Sequence, residues 1–512
     1  MSRLRLLAHN ISSGYTAIAA NAVFTLVSVR LALHYVSLEE YGLLALVTTV
    51  VGYLSLVDLG MTGAMMRVLI DHKDSPSDGI YGSVIKTSSL VLLLQGTVLG
   101  ALAWGLSWWL AGLMEVPETY ARPFRLLFLG YGLLAGALFP GRILAAVLQA
   151  HQRHDMVNYS NVVSFVVNLA ALWIGFRIGL GLFSLLAAQV AGAFSAMLIQ
   201  AAATVYLRFL PPSGAWGGVN RKHLREIFLF GNDLFLMNVG LQLLNASQAI
   251  IIKMLLGLEA VAVWTIATKA YAMAQQFVWR LWDFSASTIA EMVVRDERPR
   301  LLQRFREIFL VTASVSAFIG IAVAVCNNSF ITVWTATPIR WPGLNDVLMA
   351  VLFVSNSVTR LHIGLMGATK KILAMRYLFF LEGLCFVTAA YFSARAWGIP
   401  AIIASAAVMN IAWSGIYGTL RTAAEFRISL REVACRWIAP AARFAMVLAA
   451  MAFLCFWSLR PLPALPRLMA GAAAVSLAGA VAFWRLGLTE SLRQEFRSAL
   501  RKIWWRFRAF LS

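Results

Sequence analysis

Residues 10–67 hold two apolar runs, Ile11 to Tyr35 and Tyr41 to Met66, joined by a short turn with Ser37, Glu39 and Glu40. Each run is long enough to cross a bilayer, which takes roughly 20 residues. The design repeats along the chain and constrains the fold more than any other feature. A backbone in hydrocarbon must satisfy its own hydrogen bonds, so runs of this kind are read as helices. The chain is 60% hydrophobic and 13% charged, whereas a soluble domain is about a quarter charged. The expected class is an all-α polytopic membrane protein.

Further spans are expected at Val84 to Leu110, Phe124 to Leu148, Tyr159 to Phe176, Leu180 to Leu207, Ile227 to Ile252 and Leu258 to Val294. Six more follow at Ile308 to Trp334, Asn345 to Ala368, Tyr377 to Trp397, Ile399 to Leu420, Ile438 to Leu459 and Arg467 to Leu486. The total is about 14 transmembrane helices, counted at the length a bilayer requires. With both termini cytoplasmic, the inside segments hold about 27 Lys and Arg and the outside loops about six, the bias of the positive-inside rule. Clusters such as Arg295, Arg298, Arg300, Arg304 and Arg306 fall inside. The formal net charge of +20 therefore reads as orientation and contact with anionic lipid. No nucleic-acid motif accompanies it. Cys326, Cys385, Cys435 and Cys455 have no metal or redox spacing and read as small buried hydrophobes. His151 and His154 read as a solvated turn, and His362 as a packed residue. No metal site and no catalytic residue is expected.

The organisation expected is a six-helix lobe over 1–207, a cytoplasmic linker over 208–226 and a second six-helix lobe over 227–420. Two additional helices follow over 421–487, then a tail over 488–512. The linker carries Pro211, Pro212, Gly217 and Gly218, which are turn residues. In the tail, Arg493, Arg497, Arg501, Lys502, Arg506 and Arg508 alternate with aromatic and apolar residues. That pattern is a basic amphipathic helix for the cytoplasmic leaflet. The lobes repeat loosely: Ser37 to Ala45 (SLEEYGLLA) recurs as Gly257 to Thr265 (GLEAVAVWT), pairing Glu39 with Glu259. Six spans is an even number, so the two blocks run the same way through the membrane, an arrangement that places substrate between halves.

Four motifs open the chain: Asn10 to Gly14, Arg30 to Leu33 (RLAL), Glu39 to Gly42 (EEYG) and Asp58 to Met61 (DLGM). With these the chain resembles the polysaccharide-biosynthesis flippases of O-antigen type. They belong to the multidrug/oligosaccharidyl-lipid/polysaccharide exporter superfamily, with the lipid II flippases and the multidrug and toxin extrusion transporters. The resemblance implies two six-helix lobes around a central cavity and alternating access. It also implies translocation of an undecaprenyl-diphosphate-linked glycan from the cytoplasmic to the outer leaflet. The location expected is the bacterial cytoplasmic (inner) membrane, with a glycan polymerase and glycosyltransferases as neighbouring partners.

An ionisable residue inside a span is costly and points to function. In the eighth span Lys269, Gln276, Arg280 and Asp283 follow at steps of seven, four and three, which puts them on one helix face. Arg grips phosphate oxygens with its fork and Lys attracts them as a point charge, so this stripe is a candidate diphosphate site. The competing reading is structural, with Arg280 paired to Asp283. Asn238, Gln242 and Asn245 share a face of the seventh span, where amides can bind sugar hydroxyls or join helices. Arg30 either faces the cavity or snorkels to the interface. Arg142 and Arg360 lie in the inner parts of the fourth and tenth spans, at the cytoplasmic entrance or snorkelling. Asp58, Asp233 and Asp283 are the ion-coupling candidates, with pairing as the alternative. No cofactor is expected and no phosphate loop points to ATP; a proton or sodium gradient is one available drive. A cation-coupled multidrug antiporter is the alternative, disfavoured because the buried charges lean positive. A membrane glycan polymerase or ligase is disfavoured because the outer loops are short.

Overall fold

In a computed structural model of the chain, the structure describes residues 3–74, 78–337, 339–369, 373–487 and 493–494. Within the helices the side chains of 3–8, 11, 229–234, 287 and 373 are not among those described. The tail beyond Gly487, apart from 493–494, lies outside the described residues. The regular structure is helical. In chain order come α1 (Arg3–Tyr35), α2 (Leu38–Leu54), α3 (Met61–His72), α4 (Ile80–Leu106), α5 (Leu110–Leu113), α6 (Glu118–Leu138) and α7 (Arg142–Ala150). Next are α8 (His154–Arg177), α9 (Phe183–Tyr206), α10 (Arg221–Leu256), α11 (Leu258–Ala267), α12 (Lys269–Val294) and α13 (Arg298–Thr335). The last are α14 (Gly343–Ala368), α15 (Leu373–Trp397), α16 (Ile399–Asn410), α17 (Ile416–Phe426), α18 (Leu430–Val433), α19 (Ala439–Leu459) and α20 (Ala464–Ala482).

Among the described residues, twelve helical stretches are long and apolar enough to cross a membrane, or 13 with the bent pair α6 and α7. The eighth expected span, Leu258 to Val294, is not among them, because α12 carries the polar stripe and the chain breaks at Thr268. Large apolar side chains stand exposed along the helices, such as Leu93, Leu94, Val166 and Leu198. A monomeric soluble protein rarely shows apolar patches of that extent; facing lipid they cost nothing. The chain is a multi-pass membrane protein.

Two further expected spans are not continuous. The second ends in a tight turn at Ser55–Asp58, and Leu59 and Gly60 adopt φ of 49° and 72° before α3 begins. A left-handed pair cannot continue a right-handed helix, and Gly60 accepts that conformation without a Cβ penalty. The fourth breaks at Phe139–Gly141, where Pro140 removes a backbone donor, and α6 and α7 meet at 40°. Apart from these and Leu258 to Val294, the expected spans correspond to single helices or helices continued through a π turn, at Ile411–Gly415 and Phe483–Gly487. The cysteines are free: three are half-buried and Cys435 is exposed, so none is the buried residue expected. His362 is buried, with Nδ1 against the Thr422 hydroxyl at 2.8 Å and its ring between Phe305 and Phe309.

By packing, the chain forms two compact units. The first joins Met1–Thr265 with Met375–Gly398 and the second joins Ile266–Ala374 with Ile399–Ser512. Each unit gathers chain-distant helices, so the units follow proximity rather than the order of the repeat. In the first, α1 packs on α8, α4 on α6, α2 on α6 and α6 on α9. In the second, α13 packs on α14, α12 on α14 and α14 on α16. The partnerships of spans three and four, two and four, and four and six thus recur six spans later. The 208–226 segment is held on α4, with Ser83 Oγ and Lys86 Nζ donating to the Gly218 and Gly217 carbonyls at 2.5 and 2.9 Å.

Candidate functional site

The opening motifs are architectural. Asn10 on α1 caps the start of α8: its Oδ1 accepts from the Asp155 amide at 3.0 Å and its Nδ2 donates to the Gln152 carbonyl at 2.9 Å. Helix α8 has no capping side chain of its own, so Asn10 serves an orphan donor that would otherwise be unsatisfied. Ser37 and Glu40 form a reciprocal capping box on α2, and Glu39 accepts from the Tyr120 hydroxyl at 2.9 Å. Gly42 lies against the start of α11, where a Cβ would sit 2.0 Å from the Leu258 carbonyl oxygen and 3.3 Å from the Ala262 nitrogen. Gly42 and Ala262 are equivalent positions of the repeat. Equivalent residues that touch one another mark a pseudo-two-fold contact.

The fourth motif builds a charged site in the first unit. Asp58 closes the turn after α2, and its carboxylate accepts from the Thr62 hydroxyl and, at 3.4 Å, from the Thr62 amide. The break exposes the carbonyls of Val57 and Asp58, and Gln95 Nε2 of α4 donates to both at 3.0 and 2.9 Å. Arg142, the first residue of α7, reaches Asp58 Oδ1 at 3.3 Å. Its guanidinium lies over the Phe139 ring at 3.8 Å. The Arg142 side chain is 37% exposed and the Asp58 side chain 18%.

The second unit carries the other charged site. Asp283 of α12 takes two guanidiniums, Arg280 on Oδ2 at 3.5 Å and Arg360 of α14 on Oδ1 at 3.4 Å. Arg360 also lies over the Trp279 ring at 5.0 Å, and its Nε is a buried donor without an acceptor. Gln275 Nε2 donates to Ser357 Oγ at 3.0 Å and ties the same two helices. Charge-assisted N–H···O bonds are usually 2.7–2.9 Å, so contacts of 3.3–3.5 Å hold these arginines loosely. One carboxylate facing two guanidiniums leaves a net positive charge in the group.

The other expected residues are more dispersed. Gln276 is exposed one turn before Arg280, and half-buried Lys269 stands three turns before it. Asn238, Gln242 and Asn245 belong to α10 in the first unit. Gln242 reaches to 3.2 Å of the Cβ position at Gly52, where α10 meets α2, while Asn245 donates to the Leu241 carbonyl of its own helix at 2.8 Å. Arg30 is exposed near the end of α1. The Asp233 side chain lies outside the described residues. Thr62, Gln95, Phe139 and Trp279 escaped the sequence reading. The signal for Trp279 is its place beside Arg280, and for Gln95 a lone amide within an apolar span.

A family model described as "Polysaccharide biosynthesis protein" matches residues 7–281. No curated protein matches the chain in sequence. Among solved structures, an inward-facing multidrug resistance MATE family transporter of the MOP superfamily is similar at TM-score 0.66 and 12% identity, covering 78% of this chain and 94% of that one. The lipid II flippase MurJ in an inward closed conformation has TM-score 0.61 and 10% identity, covering 91% and 99%. A MOP superfamily transporter from Pyrococcus furiosus has TM-score 0.57 and 12% identity, covering 83% and 96%. At such identities the likeness concerns the fold. The family model spans more than half of the sequence, including all four opening motifs and α12 as far as Leu281, and the chain accordingly belongs to the polysaccharide biosynthesis protein family, as a multi-pass membrane protein with the fold of MOP-superfamily flippases and exporters.

Proposed function

We propose that the chain is a flippase that moves an undecaprenyl-diphosphate-linked oligosaccharide or polysaccharide repeat from the cytoplasmic to the outer leaflet by alternating access. The observation that carries this reading is the group of Arg280, Asp283 and Arg360. Two loosely held, part-exposed guanidiniums with one counter-ion offer spare donors to a diphosphate, and the Arg360 Nε–H has no acceptor. Asp283 keeps the forks oriented until phosphate oxygens displace it. Lys269, on the same face, would attract the anion further along α12, and Gln276 would meet a sugar hydroxyl. Asp58, Asp233 and Asp283 are the carboxylates available to a proton or sodium drive. The membrane would be the bacterial inner membrane with both termini cytoplasmic, and a polymerase and glycosyltransferases would supply and consume the lipid-linked glycan.

The similarity to a multidrug MATE fold favours a second reading, a cation-coupled drug antiporter. A cationic drug would be repelled by the net positive group on α12 and α14. Reconstitution decides between the two. Proteoliposomes with a fluorescent undecaprenyl-diphosphate glycan should exchange the lipid between leaflets, and the same vesicles should not transport cationic dyes. Dye export without exchange of any matching donor lipid would overturn the proposal.

A further inference from the structure

The pair of a second-span carboxylate and a fourth-span arginine occurs twice in the chain. In the first block Asp58 meets Arg142 at 3.3 Å; in the second Asp283 meets Arg360 at 3.4 Å. Each arginine lies over an aromatic ring, Phe139 or Trp279. The two pairs lie on corresponding spans, and Asp283 stands five positions beyond the register that Glu39 and Glu259 set.

We propose that Arg142, held in place by Asp58 until a ligand displaces it, forms a second diphosphate-binding site, wholly within the first unit. This rests on the flippase reading of the Arg280, Asp283 and Arg360 group in the second unit. The local chemistry favours exchange of Arg142 from Asp58 to a ligand. Asp58 already accepts from the Thr62 amide and hydroxyl, so its carboxylate stays satisfied when the arginine leaves. Arg142 uses one of its five N–H donors on Asp58, and the Phe139 ring fixes its plane while the fork edge remains open. A partly exposed fork held on an aromatic face is suited to bidentate phosphate binding. The gap in the second span is what brings the carboxylate within reach, since Gly60 and Leu59 end the helix there.

Binding stoichiometry tests this. Full-length protein in nanodiscs is titrated with radiolabelled farnesyl diphosphate, and inorganic pyrophosphate serves as competitor. Wild type should bind two equivalents, both displaced by pyrophosphate. Arg142→Ala should bind one, and the Arg280→Ala/Arg360→Ala double variant should also bind one, with Arg142 as the remaining site. Asp58→Asn keeps an acceptor for Thr62 and removes the competing charge, so it should tighten one of the two sites several-fold. Folding is checked by the tryptophan-fluorescence melting transition; if Arg142→Ala lowers it, Arg142→Lys and Asp58→Asn supply the answer. A wild type that binds one equivalent, lost only in the Arg280/Arg360 variant, overturns this inference and leaves the flippase reading standing. Binding unchanged in every folded variant overturns both.

Discussion

At the scale of single residues, the opening motifs hold backbone together. A methyl at Gly42 would meet the Leu258 carbonyl oxygen at 2.0 Å, and that oxygen belongs to backbone that cannot step aside. Gly42→Ala should destabilise the first unit by about 1–3 kcal/mol, the usual cost of overpacking. Gly105→Ala, with nothing within 4 Å of its Cβ position, should be neutral or slightly stabilising. Melting transitions of the two variants in the same detergent give the comparison; equal transitions would remove the close contact from the account. Two histidines outside the spans add a pH dependence. Burial lowers the pKa of His151, which stacks on Phe209 at 4.0 Å, and burial followed by His72 lowers that of His223. A base with a depressed folded pKa binds fewer protons when folded, so its contribution is full above the unfolded value of about 6.5 and falls as pH drops below it. Hydrogen exchange in 147–153 and 221–226, corrected for intrinsic rates, should show more local opening at pH 5.5 than at 7.5. Unchanged protection would contradict this.

At the scale of elements, the breaks matter more than the spans. Apolar runs of bilayer length were legible because hydropathy is a property of a window of residues, and nearly every run became a helix. The breaks after Asp58 and at Phe139–Gly141 were not, because each lies inside an apolar run that hydropathy reads as continuous. DLGM and the Pro140–Gly141 dipeptide carried the local signals, but only the carbonyl partners of Gln95 reveal that the freed backbone is satisfied. Gly60→Ala places a Cβ on a residue with φ of 72° and should cost about 1–2 kcal/mol. It should also weaken the Asp58–Arg142 contact. Protection of the α3 amides from exchange measures this, and protection equal to wild type would show that the turn tolerates a side chain.

At the scale of the whole molecule, the sequence made class and repeat legible, while the pairing of charges needed coordinates. The stripe on α12 followed from helix periodicity alone, since steps of seven, four and three are local arithmetic. That Arg360 joins Asp283 depends on how α14 packs on α12, a relation between residues 77 positions apart. The same holds for Arg142 and Asp58. Sequence left both carboxylates divided between coupling and pairing, and the ion pairs give each a counter-ion. Family membership supplies the setting of polysaccharide biosynthesis, and the net positive group of Arg280, Asp283 and Arg360 supplies a chemical reason why an anionic lipid-linked glycan is the proposed cargo.

The most direct test is the leaflet-exchange rate of undecaprenyl-diphosphate glycan in proteoliposomes holding equal amounts of wild type or the Arg280→Ala/Arg360→Ala protein. Each charge-assisted hydrogen bond to phosphate contributes about 1.5–3 kcal/mol, so the double variant should exchange at least about tenfold more slowly. A folded double variant with a rate within about twofold of wild type, a difference of under about 0.5 kcal/mol, would contradict the account.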